Sequence, residues 1–107
     1  MSEKRIRQIE QRIDRIKEEL KKIGPMRPGS LTRQYKDRKN KTGAFWQISY
    51  TRQMKSRTEY VRKEWVVEVR KQIAMHKRFK RLIDQWVDLG IEHSQLTMQI
   101  AKTKGTK

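Results

Sequence analysis

The 107-residue sequence has no cysteine, only two prolines and five glycines, and 12 acidic residues against 28 basic ones. Without cysteine there are no disulfides and no thiolate metal sites, so a reducing compartment is expected. No apolar run approaches the ~18 residues of a membrane span. The start, Met1-Ser2-Glu3-Lys4-Arg5, lacks an apolar signal-peptide core. These absences predict a cytoplasmic protein with no membrane partner. Strong apolar residues are also scarce: Leu, Ile, Val and Phe fill 22 positions, close to the ~20% below which a charged chain tends to stay unfolded. The length suits one domain and excludes separate cofactor and substrate domains. No Gly-rich loop joins a strand to a helix, and neither His76 nor His93 has a second histidine at ligand spacing. No catalytic residue, cofactor or metal site is expected, and the chain reads as a non-enzyme.

What the sequence has in abundance is positive charge, +16 at neutral pH. Such an excess speaks first of nucleic acid, then of acidic proteins or anionic membrane surfaces. Its distribution is uneven. Residues 24–63 carry 11 basic groups and two acidic ones, Asp37 and Glu59, for a net of +9. The flanking segments, 1–23 and 64–107, carry +3 and +4 with mixed signs, as solvated helix faces do.

Hydrophobic spacing divides the chain into segments. In residues 1–23, Ile6, Ile9, Ile13, Ile16, Leu20 and Ile23 recur at steps of three and four, a heptad seam on an amphipathic helix ended by Gly24-Pro25. So narrow a seam needs a partner. It suits a homo-oligomer, and it equally suits the chain's own later helix. Residues 24–43 read as a basic loop punctuated by Pro28, Gly29 and Gly43, with Leu31 and Tyr35 four apart as in one short helical turn. From residue 44 the pattern alternates. Trp46, Ile48 and Tyr50 share one side of a strand, and Arg57 to Val61 is rich in strand formers. A connection near Gln53-Met54-Lys55-Ser56 sets Tyr50 opposite Glu59 and Ile48 opposite Val61, and the hairpin's apolar face must pack on a helix.

Residues 64–102 return to helical periodicity. Trp65, Val66, Val69, Ile73 and His76 form one stripe, and Phe79, Leu82, Trp86, Leu89, His93, Leu96 and Ile100 form another. The skip between them at Lys77–Arg78 predicts local unwinding, a bend or a change of packing partner, and Gly90 is a second place for a bend. Residues 103–107 read as a flexible tail. The fold class is mainly α with a small two-stranded β-hairpin: long helix, basic loop, hairpin, long helix.

The candidate nucleic-acid contacts follow from the charge map. They are Arg27, Arg33, Lys36, Arg38, Lys39, Lys41, Arg52, Lys55, Arg57, Arg62 and Lys63 in the loop and hairpin, with Lys77, Arg78, Lys80 and Arg81 on the later helix. Phosphate neutralisation by such groups supplies affinity for almost any sequence. Tyr60, on the hairpin side opposite Trp46 and Tyr50, is the aromatic best placed to stack on a base, whereas Trp46 is expected in the core. Asp84, Asp88 and Glu92 fall on one helix face and read as a solvated acidic face rather than a metal site. Both histidines lie on apolar stripes, where hydrogen-bonded packing or interface roles are the expectation.

The run Gly24-Pro25-Met26-Arg27-Pro28-Gly29-Ser30-Leu31-Thr32-Arg33-Gln34-Tyr35, with Gly43 to Tyr50, Lys55 to Val61, Val69-Arg70 and Lys77 to Lys80, resembles an uncharacterised family of small basic bacterial proteins. The likeness covers about residues 20–100. It implies a shared hairpin-plus-helix module and an association with mobile elements. Many members carry a cysteine-containing insert between the positions of Tyr35 and Trp46, where this chain has only residues 36–42. Any metal role of that insert does not carry over. The expected function is a nucleic-acid-binding accessory protein, for DNA or RNA, within a larger nucleic-acid-processing complex. The alternative is a helical oligomerisation or adaptor protein that meets an acidic protein partner.

Overall fold

The structure, a computed structural model, describes residues 2–105. Helix α1 (Ser2–Lys21) is followed by strands β1 (Ser30–Asp37), β2 (Thr42–Arg52) and β3 (Lys55–Val61), a short 3-10 turn (Lys63–Trp65) and helix α2 (Val66–Gly105). The chain divides into two compact units. One holds residues 24–78; the other holds residues 1–23 with 79–107. No helix among the described residues is long and apolar enough to cross a membrane.

In the helical unit the isoleucine seam packs within the chain. Ile9 and Ile16 of α1 are buried with Leu89 of α2, and Ile13, Leu20, Leu82, Trp86 and Leu96 close around them. The seam's outer members, Ile6 and Ile23, are half-buried. Polar contacts line the edges of this pairing. Arg5 grips Glu92 bidentately at 2.7 and 2.8 Å, Lys104 Nζ reaches Glu3 at 2.9 Å, and the Lys17 ammonium lies 5.4 Å from the Trp86 ring centre. The last turn of α1 tightens as Lys22 and Ile23 donate to the carbonyls of Glu19 and Leu20, and Gly24-Pro25 follows.

In the sheet unit the hairpin expectation needs correction: the sheet has three antiparallel strands, in the order β1-β2-β3. The added strand lies in the segment read as loop. Leu31 pairs with Ile48, Arg33 with Trp46 and Tyr35 with Ala44, so Leu31 and Tyr35 sit on a strand and not on a helical turn. The third strand matters energetically, because two strands alone are marginal in water. The hairpin register also differs by two residues. Trp46 pairs with Val61, Ile48 with Glu59 and Tyr50 with Arg57. Only Gln53 and Met54 stay outside the ladder, and both take positive φ, 53° and 65°. That is the dihedral signature of the tightest twist-matched hairpin turn, which normally uses Asn-Gly. With two ordinary side chains there it is locally strained.

One face of the sheet is covered by the start of α2. Ile48, fully buried, packs with Val61, Val66, Val69 and Ile73, flanked by Leu31 and Trp46. Arg70 lays its guanidinium 5.0 Å from the Trp46 ring centre, completing the cover. Trp65, expected on the buried stripe, sits in the 3-10 turn and is 57% exposed. At Lys77–Arg78 the helix is uninterrupted. What changes there is the packing partner, from the sheet cluster before it to the α1 cluster after it. Gly90 stays inside the helix, which runs to Gly105 and takes in the start of the expected tail. The tail's last two residues lie outside the described residues.

Candidate nucleic-acid interface

The cations of residues 24–63 gather at the two ends of the sheet. At one end, Arg38, Lys39 and Lys41 occupy the β1–β2 turn, with Lys36 on β1 and Arg62 and Lys63 just after β3. The polar run Lys36 to Lys41 is therefore no open loop. The Asp37 carboxylate accepts hydrogen bonds from the backbone N–H groups of Lys39 (3.1 Å) and Asn40 (3.2 Å) and from the Asn40 amide (2.9 Å). These bonds, led by those from Asn40, hold the Asp37 pKa below its ordinary value. Lys41 takes φ 53° to close the turn.

At the other end, Arg52 and Lys55 face each other across the ladder beside the strained turn, and Arg57 follows. Like charges directly opposite destabilise a sheet. A like-charged pair and a turn without its preferred residues thus coincide at one exposed tip, where Met54 is 98% exposed.

Arg27 stands apart from the other candidates. Its backbone N–H donates to the carbonyl of Gln72 at 3.2 Å. Its guanidinium lies 5.0 Å from the Tyr50 ring centre and donates to Glu59 at 3.2 Å. The Tyr50 hydroxyl also donates to Glu59, at 2.7 Å. The Tyr50 bond, then Arg27, pulls the Glu59 pKa down, while Glu59 raises that of Tyr50. Arg27 is thus a structural tie. Both carboxylates of the segment are engaged internally, Asp37 in its turn and Glu59 in this clamp. Among the described residues, Arg27–Glu59 is the one ion pair within residues 24–63.

Strand alternation decides which side chains share a face. Arg33, Arg52, Lys55 and Arg57 lie on the side of Trp46 and Ile48, and Arg33 rests 5.6 Å from the Tyr35 ring centre. The uncovered face carries Thr32, Gln34, Phe45, Gln47, Ser49, Thr58 and Tyr60, with Lys36 at its edge. Tyr60 therefore does not share a face with Arg52, Lys55 and Arg57; Lys36 is its cationic neighbour in the fold. Phe45, which the sequence reading passed over, stands 6.4 Å from Tyr60, ring centre to ring centre, at 34°. The available signal was its parity. It precedes Trp46 and so falls out of step with the Trp46/Ile48/Tyr50 side.

Lys80 and Arg81 belong to the helical unit, whereas Lys77 and Arg78 end the sheet unit. Glu92 of the acidic helix face is held by Arg5, which lowers its pKa. His93 is bonded through Nε2 to Glu10 at 3.0 Å and through Nδ1 to Thr97 at 3.4 Å, and His76 is half-buried. Among the described residues, no three His, Asp or Glu side chains converge as metal ligands.

A family model described as a domain of unknown function (DUF6788) matches residues 6–71. That stretch takes in most of α1, the whole sheet and the first turns of α2. No curated protein and no solved structure is similar enough to match.

Proposed function

We propose that this chain, which belongs to the DUF6788 family, is a non-enzymatic nucleic-acid-binding accessory protein that grips phosphates with residues 33–63. One observation carries the reading. Ten basic residues there have no ion-pair partner among the described residues, and the two neighbouring carboxylates are already hydrogen-bonded within the chain. The two cationic ends sit at opposite ends of β2, roughly 33 Å apart at the usual strand rise. A small anion reaches one end only; a polyanion lying along the sheet reaches both. A role within a larger nucleic-acid-processing assembly, and the mobile-element association carried by the resemblance, belong to this proposal.

The test is a salt titration of binding to a labelled oligonucleotide. With five to eight phosphate contacts, log K against log salt falls with a slope of roughly −4 to −7. Arg52→Ala plus Arg57→Ala weakens binding far more than Lys4→Ala plus Arg15→Ala, two exposed positions of α1. A flat salt response, or equal losses in the two pairs, overturns the reading.

One observation favours the adaptor reading as a second possibility. With the isoleucine seam packed inside the chain, α2 still exposes Val87 (53%), Ile91 (53%) and Met98 (62%) along one stripe. By helical geometry that stripe lies away from Leu82, Trp86 and Leu89. If it meets a second copy or a partner helix, Val87→Glu plus Ile91→Glu lowers the mass seen by light scattering and leaves helicity intact. An unchanged mass removes self-assembly through that stripe.

A further inference from the structure

Resting on the nucleic-acid reading above, we infer that the ligand is a single strand, and that an unpaired base stacks on the Phe45–Tyr60 pair of the uncovered sheet face. Tyr60 is 69% exposed, too open for a core role, and its ring leans on Phe45 alone among the aromatic pairs described. These two rings form the shared wall of two shallow concavities. One is completed by Lys36, Gly43 and Ala44; the other takes in Ala44, Trp46, Val61 and Arg33, whose side chains belong to the covered side, together with Lys63 after β3. Flat aromatic surface thus has Lys36 beside it on its own face and Lys63 at its margin after β3, an arrangement that lets a strand set a base on a ring while its phosphates meet these cations. Gly43 shapes the first concavity. It has φ +68°, and a Cβ there would stand 3.0 Å from the Lys36 Cβ, so the missing side chain leaves the Lys36 stem room beside the rings.

The rest of the face argues for the same occupant. Thr32, Gln34, Gln47, Ser49 and Thr58 offer hydroxyls and amides, some already paired, as in Ser49–Thr58 at 3.4 Å and Gln34–Thr32 at 3.1 Å. Such a surface is unsuited to sheet-on-sheet packing against a second copy, which needs an apolar inner face. It does suit base edges and sugars, which hydrogen-bond in either direction. A duplex keeps its base faces stacked inside, so it can use the cations but not the rings.

The experiment measures anisotropy of fluorescein-labelled oligo-dT and oligo-rU of about 12 nucleotides, against an abasic strand of equal length and a hairpin duplex. Tyr60→Ala is expected to weaken oligo-dT or oligo-rU binding roughly 5- to 100-fold. Tyr60→Phe keeps affinity within a few-fold, and neither changes the salt slope. On the abasic strand Tyr60→Ala has no effect. Phe45→Ala repeats the loss, and circular dichroism confirms that it folds. If the wild type binds with the expected salt slope while Tyr60→Ala matches it on every probe, stacking is overturned and the phosphate reading stands. The same holds if duplex competes equally with single strand. If Tyr60→Ala changes the oligomeric state without changing affinity, the face is a self-interface and the inference is overturned. If the wild type binds none of the probes, both fall.

Discussion

Replacing Ile9 with aspartate is expected to unfold the helical unit. Ile9 is fully buried, at the centre of the cluster with Ile16 and Leu89. Removing its side chain forfeits about 2–3 kcal/mol of burial. Placing a carboxylate there adds the desolvation of a charge with no partner in an apolar cluster. The sum, roughly 4 kcal/mol or more, is comparable to the ~5–15 kcal/mol that holds a small protein together. Far-UV circular dichroism of Ile9→Asp then shows lost helicity and a lower, broader thermal transition. Gln11→Asp, two residues on at an exposed position, shifts stability by no more than about 0.5 kcal/mol. Because the sheet unit has its own cluster, residues 30–61 keep dispersed amide resonances in Ile9→Asp. An Ile9→Asp protein as stable as Gln11→Asp means that the seam is not packed as described.

Gly29→Ala is expected to strike the other core. Gly29 has φ +141°, where L side chains are rarely found. A Cβ there would meet Ile48 Cγ1 at 2.7 Å and Cδ1 at 2.8 Å, and Ile48 is fully buried with no room to retreat. Backbone strain of ~1–3 kcal/mol and overpacking of ~1–3 kcal/mol give a loss of roughly 2–5 kcal/mol. Urea denaturation measures it. The two causes separate in a double-mutant cycle. Ile48→Ala alone costs about 2–5 kcal/mol by leaving a cavity. Combined with Gly29→Ala it loses less than the sum, because the clash with Ile48 disappears while the strain and the 3.2 Å approach to the Ser49 carbonyl remain. A neutral Gly29→Ala, or strict additivity in the cycle, contradicts the close approach of residue 29 to the core.

Much of the helical half was legible in the sequence. Steps of three and four among Ile9, Ile13, Ile16 and Leu20, and again from Leu82 through Trp86, Leu89 and His93 to Leu96, locate the apolar residues that cluster. The skip at Lys77–Arg78 marks where α2 changes partner, because a stripe must rotate to face a new neighbour. Strand β1 was not legible, and the reason is arithmetic. Leu31 and Tyr35 are four apart, which fits one turn of a helix and also two alternations of a strand. Only pairing with Phe45, Trp46 and Ile48 decides between them. The hairpin register was hidden for a related reason. Sliding a strand by two residues keeps every side chain on its own face, so the apolar pattern accepts either register. The turn chooses, and Gln53-Met54 carries no residue that announces a two-residue turn.

The opening absences therefore determined a good deal alone. With no cysteine, few strong apolar residues and few acids, the chain is cationic, its apolar residues recur in narrow stripes, and +9 of its charge falls between residues 24 and 63. Those are properties of composition and spacing, and folding does not alter them. Tertiary structure decided how that charge is arranged. Pairing β1 onto the hairpin widened the uncovered polar face with Thr32, Gln34 and Lys36, and the β2–β3 register set Phe45 beside Tyr60 with Lys36 at the edge. Which side chains become cross-strand neighbours depends on register, and which face stays open depends on which side a helix covers. Both are set by contacts between residues far apart in the chain, and local spacing does not encode them.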